Sequence, residues 1–199
     1  VFNLLTGLNQ RVGNWPGKTV EQKTGSFTYE GMTIEITDLP GTYSLTANSA
    51  EEVIARDFII KEKPDVVVAV IGAATLERNL YLVAELLPLP SPLVIGLNMM
   101  DVAESEGIHI EPHVLEAALG VRVVPMVATQ NKGVRELVQE VVRLATSDQP
   151  YCPTLPSVRA DHRQLLAKIK AEIADDMPAS YPPDWVALKL LEGDQVVAE

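Results

Sequence analysis

Thr33-Ile34-Glu35-Ile36-Thr37-Asp38-Leu39-Pro40-Gly41 and Leu93-Val94-Ile95-Gly96-Leu97-Asn98-Met99-Met100-Asp101 decide the fold. The first alternates apolar and polar residues, and the second is continuously apolar up to its polar end, so each reads as a strand. One strand closes on Asp38-Leu39-Pro40-Gly41 and the other on Asn98-Met99-Met100-Asp101. In open α/β sheets ligands sit outside the carboxyl ends of the strands, and both motifs fall there. A strand-ending aspartate can hold Mg²⁺ through water, and the glycine after it lets a backbone N–H approach a terminal phosphate. An asparagine with a carboxylate three residues on can read a purine edge, the carboxylate accepting from a ring N–H and an exocyclic amine. Guanine alone offers those two donors side by side, so the pair of motifs is that of a GTP-binding switch. Taken singly, Asp38-x-x-Gly41 reads as a turn and Asn98 as a helix cap. Their order and spacing favour the joint reading.

Outward from these strands, the sequence alternates elements. Ser26–Tyr29 and Met32–Thr37 form a hairpin turning at Glu30-Gly31. Residues 50–62 have helical spacing and stop before Pro64; Asp65–Ile71 is a buried strand; Leu76–Leu87 is a helix ended by Pro88. Pro92–Leu97 is a second buried strand, Pro112–Leu119 a short helix closed by Gly120, Val121–Met126 a strand and Val134–Ala145 an amphipathic helix. Val1–Gly7 reads as a helix end, and residues 9–25, polar and rich in Gly and Pro, as a loop. The fold class is therefore α/β, a P-loop-type GTPase fold with a mostly parallel sheet and one antiparallel hairpin. The proline-rich run Ser147–Ser157 marks a boundary, giving a GTPase domain over 1–148 and the start of an all-helical spacer over 149–199. In that spacer Val158–Ile173 and Pro183–Leu191 are helical. Trp185, Leu188 and Leu191 are its expected core, and the absence of a stop signal before Glu199 suggests truncation there.

Composition narrows the function. Of 199 residues 47% are hydrophobic, enough for a core, while the apolar run at Val66–Ile71 is too short to span a bilayer. A net charge of −11 argues against nucleic acid or an anionic membrane surface as partner. The single cysteine, Cys152, cannot build a disulfide framework and reads as an inert thiol. His109-x-Glu111-x-His113 flanks Pro112 at a helix start, so no regular element gathers the three on one face, and a solvated loop is expected.

Gly13-Asn14-Trp15-Pro16-Gly17-Lys18-Thr19 imitates a Walker A loop but has Val12 where the first glycine of G-x-x-x-x-G-K-[ST] belongs. A Walker loop also follows a strand and opens a helix, whereas here a helix end precedes and a hairpin follows. The expectation is that the chain begins just after the true loop and lacks the first strand and its phosphate cradle.

The segments LLTGLNQRVGNWPGKT (4–19), DLPGTYSL (38–45), LERNLYL (76–82), LNMMD (97–101) and WVALKLLEGD (185–194) together resemble the amino-terminal G domain of the bacterial ferrous iron transport protein B family. The resemblance covers nearly all of the chain. It implies a GTP-binding, slowly hydrolysing cytosolic switch attached to a C-terminal transmembrane domain of the inner membrane that moves Fe²⁺. The implied cofactors are GTP/GDP, Mg²⁺ and K⁺, and a homo-oligomer is compatible with it. Carried over by position, the implied catalytic set is Thr19, Asp38 and Gly41: a switch threonine on Mg²⁺, a water-mediated Mg²⁺ ligand and a γ-phosphate sensor. The implied nucleotide-contacting set is Asp38, Gly41, Asn98, Met99, Asp101, Val127, Ala128 and Thr129, with the Ala128 N–H meeting the guanine carbonyl. The backbone carbonyls of Gly13 and Trp15 match positions that wrap K⁺. Three residues depart from the family pattern: Lys18 replaces a small apolar residue, Gly72 an aspartate, and Val127 the serine before Ala128.

Thr42 stands where many GTPases place a water-orienting glutamine. Phosphoryl transfer needs positioning and charge neutralisation more than a base, so slow turnover is expected. Two other function classes compete: a non-catalytic G-domain remnant serving as docking or spacer module, and a soluble regulatory GTPase.

Overall fold

The computed structural model describes residues 1–7, 10–178 and 180–198. Residue 9 of the expected loop and the expected truncation at Glu199 lie outside the described residues. The elements run α1 (Phe2–Thr6), β1 (Gln10–Asn14), β2 (Glu21–Tyr29), β3 (Met32–Asp38), α2 (Ala50–Glu62), β4 (Val67–Gly72), α3 (Leu76–Leu86), β5 (Leu93–Asn98), α4 (Met100–Ser105), α5 (Pro112–Leu119), β6 (Arg122–Pro125), α6 (Val134–Ala145), α7 (Ala160–Ile173), α8 (Pro183–Glu192) and α9 (Gln195–Ala198). The α/β architecture read from the sequence is the one observed.

The described strands form two hydrogen-bonded groups, an antiparallel β1-β2-β3 and a parallel β4-β5-β6. In the parallel group Val67 registers with Leu93 and Gly72 with Asn98, so β4 and β5 end level at the face where Asn98 stands. The hairpin turns at Glu30 (φ 48°) and Gly31 (φ 82°), the pair of positive φ angles whose twist suits adjacent antiparallel strands. Within the expected loop, residues 10–14 and 21–25 are strands and only 15–20 form a turn. Gln10–Asn14 pairs with Glu21–Gly25 along its length, Arg11 opposite Thr24 and Gly13 opposite Gln22. All five β1 side chains are exposed, so it carries no alternating apolar pattern to announce it. That placement also disposes of the Walker imitation, because Gly13 and Asn14 lie in an antiparallel strand and a turn follows.

Local chemistry accounts for the helix limits. Ser49 caps α2 by accepting from the Glu52 N–H at 3.2 Å, and the Glu52 carboxylate accepts from the Asn48 N–H at 3.0 Å. Pro112 opens α5, and Gly120 closes it in the left-handed conformation. One apolar stripe of α6, with Val134, Leu137 and Val141, packs with Val94 and Val124 of the parallel sheet and with Met126 just after β6.

The principal core runs from Leu45 through Ala55, Ile59 and Ile60 of α2 and the strand residues Ile71, Leu93, Ile95 and Leu97, to Trp185 and Val186 of α8. Trp185, at 1% exposure, sits in a cluster that joins the α/β residues to Ile173, Met177 and Leu190 of the helical part. A cleft of about 420 Å³ separates β3 from β4, lined by Phe27, Ile34, Ile36, Val68 and Val70 and closed at one end by Val1 and Phe2. No ladder joins β3 to β4 among the described residues. Val68 and Val70 are left 37% and 46% exposed, unusual for valines of a parallel strand, which is ordinarily covered on both faces.

Candidate functional site

Two corners of the molecule carry the residues singled out by the sequence. The first is built by the ends of β5 and β6. Asn98 ends β5, and its Oδ1 accepts from the Ala128 N–H at 3.0 Å. Met99 follows with φ 62°, ψ 36°, a left-handed conformation that costs a side-chain-bearing residue about 1–2 kcal/mol. Its carbonyl accepts from the Val102 and Ala103 N–H groups, which starts α4, and the next N–H, of Met100, donates to the Met126 carbonyl at 3.2 Å. The kink lets Asn98 face the 126–132 loop while Asp101 emerges exposed on the first turn of α4. The Asp101 Oδ1 accepts from the Val102 N–H at 3.0 Å, and its Oδ2 from the Gln130 side-chain amide at 3.3 Å.

The facing loop is closed on itself. Val127 and Lys132 exchange both backbone hydrogen bonds at 3.1 Å, and Ala128–Gln130 makes one 3-10 turn between them. Gly133 anchors it at φ 77°. A Cβ there would lie 2.3 Å from the Pro125 carbonyl oxygen, so only glycine fits. Ala128 is buried and Thr129 exposed, while Val127, in place of the family's serine, is half-buried. The corner therefore presents a fixed backbone N–H and an outward carboxylate on two elements stapled to each other.

The second corner is the carboxyl end of β3. Asp38, exposed, registers with Lys23 of β2, and Leu39-Pro40-Gly41-Thr42 continues as irregular chain along the cleft. Gly41 is exposed, with nothing within 4 Å of where its Cβ would be. Four residues on, the chain is gripped. The Leu45 N–H donates to Glu85 Oε2 at 2.6 Å, and the Thr46 hydroxyl donates to Glu85 Oε1 at 3.2 Å. Lys189 of α8 donates to Glu85, to the Thr46 oxygen at 3.1 Å and to Glu192 at 2.8 Å. The Ala47 N–H donates to Asp194 Oδ2, which also takes Arg56 Nη1 at 3.1 Å. Arg56 and Lys189 both lie about 6 Å from the Trp185 ring centre (5.8 and 5.9 Å), within reach of a cation–π attraction.

Lys189, Arg56, Asp194 and Glu85 are all at least 94% buried. Burial pulls the Lys189 ammonium down, but its hydrogen bonds to Glu192 and Glu85 and the charge of both carboxylates outweigh that, leaving it above its ordinary value. Nothing local in the sequence announces this cluster, because its ion pairs join residues 104 and 138 positions apart.

The remaining predicted residues sit on the β1–β2 turn. Trp15 is buried edge-on against Phe58 of α2, ring centres 5.5 Å apart. Its N–H donates to Val20, and its carbonyl accepts from the Lys18 N–H at 3.0 Å. Thr19 is exposed in that turn, and Gly13 sits in β1. The described geometry thus gathers Asn98, Asp101, Val127 and Ala128 into one corner with Met99 and Thr129. Asp38 and Gly41 lie together on another element, and Gly13, Trp15 and Thr19 on a third. The residues suit a nucleotide at the base end: an outward carboxylate for two donors and a backbone N–H held at the loop. For Mg²⁺ the chain offers an exposed carboxylate at Asp38 and an exposed hydroxyl at Thr19. No described helix is long and apolar enough to cross a membrane.

Sequence and structure comparisons agree with one another. Residues 1–141 match the family model described as ferrous iron transport protein B, and residues 161–199 match the FeoB cytosolic helical domain. The Fe(2+) transporter FeoB of Legionella pneumophila (strain Lens) is 42% identical over 203 residues, an alignment covering all of this chain and 27% of that protein. The Escherichia coli K12 protein of the same name is 39% identical, covering 98% of this chain and 25% of the relative. The chain thus spans about a quarter of the length of these relatives. Among solved structures, the cytosolic domain of L. pneumophila FeoB superposes with a TM-score of 0.89 at 42% identity, over 99% of this chain and 77% of that one. The cytosolic domain of Thermotoga maritima FeoB superposes with a TM-score of 0.92 in a GDP form and 0.88 in a GMPPNP form, both at 35% identity, again over 99% of this chain and 77% of each.

Proposed function

As the chain belongs to the ferrous iron transport protein B family, we propose that it is the guanine-nucleotide switch regulating ferrous iron uptake through an attached transmembrane domain, on the cytosolic face of a bacterial inner membrane. The observation that carries this reading is the stapled corner, where Asn98 holds the Ala128 N–H at 3.0 Å and Asp101 stands outward beside it. The Asp101 carboxylate accepts from the guanine ring N–H and amine, and the Ala128 N–H, which donates to Asn98 Oδ1 in this structure, exchanges that partner for the guanine carbonyl. Met99, Val127 and Thr129 frame the base. The GDP and GMPPNP forms of the T. maritima relative support a nucleotide for this chain as well.

At the second corner Gly41 would meet the γ-phosphate through its N–H, and Asp38 (through water), together with Thr19 of the β1–β2 turn, would hold Mg²⁺. The Gly13 and Trp15 carbonyls would take K⁺. Such cations would supply the positive charge that phosphoryl transfer needs. Thr42 gives no strong water-orienting group, so hydrolysis is slow. Loss of the γ-phosphate frees Thr19 and Gly41. Because Leu45, Thr46 and Ala47 are held by Glu85, Lys189 and Asp194, movement of Gly41 pulls on α8. We place the change from G domain to helical spacer at 148/149. The cleft between β3 and β4 has unpaired edges on both sides and an apolar lining, which suits one further strand carrying the phosphate cradle.

The test is displacement of fluorescent GDP by GTP, ATP and XTP from the full-length protein, in K⁺ and then in Na⁺. Guanine-selective displacement, stronger in K⁺ with the triphosphate, is expected. Equal displacement by ATP would overturn the switch reading and leave a docking module.

A further inference from the structure

Gln130 belongs to none of the motifs that the sequence singles out, yet it touches the base-reading carboxylate. Its side-chain amide donates to Asp101 Oδ2 at 3.3 Å, while the Val102 N–H donates to Oδ1 at 3.0 Å. Each carboxylate oxygen is therefore held by one protein donor. An ionised carboxylate has about four acceptor positions, so both oxygens retain capacity for a ligand. Gln130 is itself placed by a rigid frame. Its N–H donates to the Val127 carbonyl at 3.0 Å, inside the loop closed by the Val127–Lys132 pair and anchored at Gly133. Asp101, by contrast, is exposed on the first turn of a six-residue helix, where without Gln130 only the Val102 N–H restrains its carboxylate.

We infer that Gln130 is a positioning residue for base selection: it fixes the plane of the Asp101 carboxylate so that the two oxygens face two adjacent donors at once. The inference rests on the proposed reading of Asp101 as the guanine reader and extends it to specificity. A guanine uses both oxygens, whereas a hypoxanthine, which lacks the exocyclic amine, uses one. Freeing the carboxylate therefore costs guanine more than hypoxanthine. A purely structural role for Gln130 would weaken all nucleotides alike or lower stability.

The experiment measures GDP, IDP and ADP affinities and thermal melting for full-length wild type, Gln130→Ala, Gln130→Glu and Gln130→Lys. A solvent-exposed hydrogen bond acting through a second residue contributes about a factor of two to ten. The GDP/IDP affinity ratio is expected to fall by about that factor in Gln130→Ala, with melting unchanged. It should fall further in Gln130→Glu, whose charge repels Asp101, and recover in Gln130→Lys, which restores a donor. An unchanged ratio, or tighter GDP binding in Gln130→Ala, overturns the inference while leaving the guanine reading intact. Equal GDP and ADP binding by wild type overturns the guanine reading itself, and this inference with it.

Discussion

The base-reading corner and the segment after β3 use hydrogen bonds in opposite ways. At the first, short-range bonds staple neighbours: Asn98 to Ala128, Met100 to Met126, Val127 to Lys132. None of these three bonds reaches the helical part. In the second, Asp38 and Gly41 are exposed, with Leu39 and Pro40 half-buried between them, while Leu45 and Thr46 are tied by long-range buried charges to α3 and α8 and Ala47 to Asp194 just after α8. Under the proposed function the contrast is a division of labour. A recognition element would gain from not moving and is closed on itself, and a transmitting element would move at one end while gripped at the other.

That contrast can be broken from either side. The largest effect is expected from Lys189→Ala, which strands the buried Glu85 carboxylate and costs about 3–5 kcal/mol of stability. Urea unfolding should register it, while base selectivity stays as in wild type. Lys189→Met, which keeps the apolar stem, should cost less.

The converse variant is Asp101→Asn. A site built to hydrogen-bond its ligand discriminates steeply, so GDP affinity should drop about a hundredfold or more and preference should move toward xanthine nucleotides. Its unfolding curve should match wild type, because Asp101 is exposed. A melting change in this variant, or unchanged guanine selectivity, would break the separation. Asn98→Ala should act in the same direction and more weakly, about tenfold on GDP, because it removes the side chain that ties the end of β5 to the 126–132 loop.

The smallest effect is on pH dependence. Lys189 is raised in the folded protein, so its contribution is complete below the ordinary lysine value of about 10.4 and disappears as pH rises through the folded value. Thermal melts from pH 8 to 11 should therefore fall more steeply for wild type than for Lys189→Met. Parallel curves would mean that the ammonium adds nothing to the grip.

Much of the fold was legible because Pro and Gly punctuate it. Pro64 and Pro88 follow α2 and α3, Pro112 opens α5, and Gly120 closes it. Of the elements that escaped, β1 and α4 did so for physical reasons. β1 is exposed at all five positions, so backbone pairing with β2 places it without any apolar period. The six-residue α4 begins at a strained Met99 that only its bond partners across the sheet end can hold.

The candidate site divides the same way. Asn98, Asp101 and Ala128 could be found because their chemistry lies in short motifs, and the Asn98–Ala128 bond brings two of those motifs together. Glu85 and Lys189 could not. Each sits on a helix where an isolated charge reads as solvent-facing, and their meeting is a product of tertiary packing. Gln130 was hidden for a milder reason: an exposed amide acquires meaning only once Asp101 is seen beside it.

On the proposed function, recognition is static and transmission mobile. Amide hydrogen exchange of the full-length protein, compared between GDP and a non-hydrolysable GTP analogue, tests it most directly. Protection at Ala128 and Lys132 should be the same in both states, while Gly41 to Ala47 and α8 change together. Exchange that shifts in the 126–132 loop, or that changes at Gly41 without any change in α8, would contradict it.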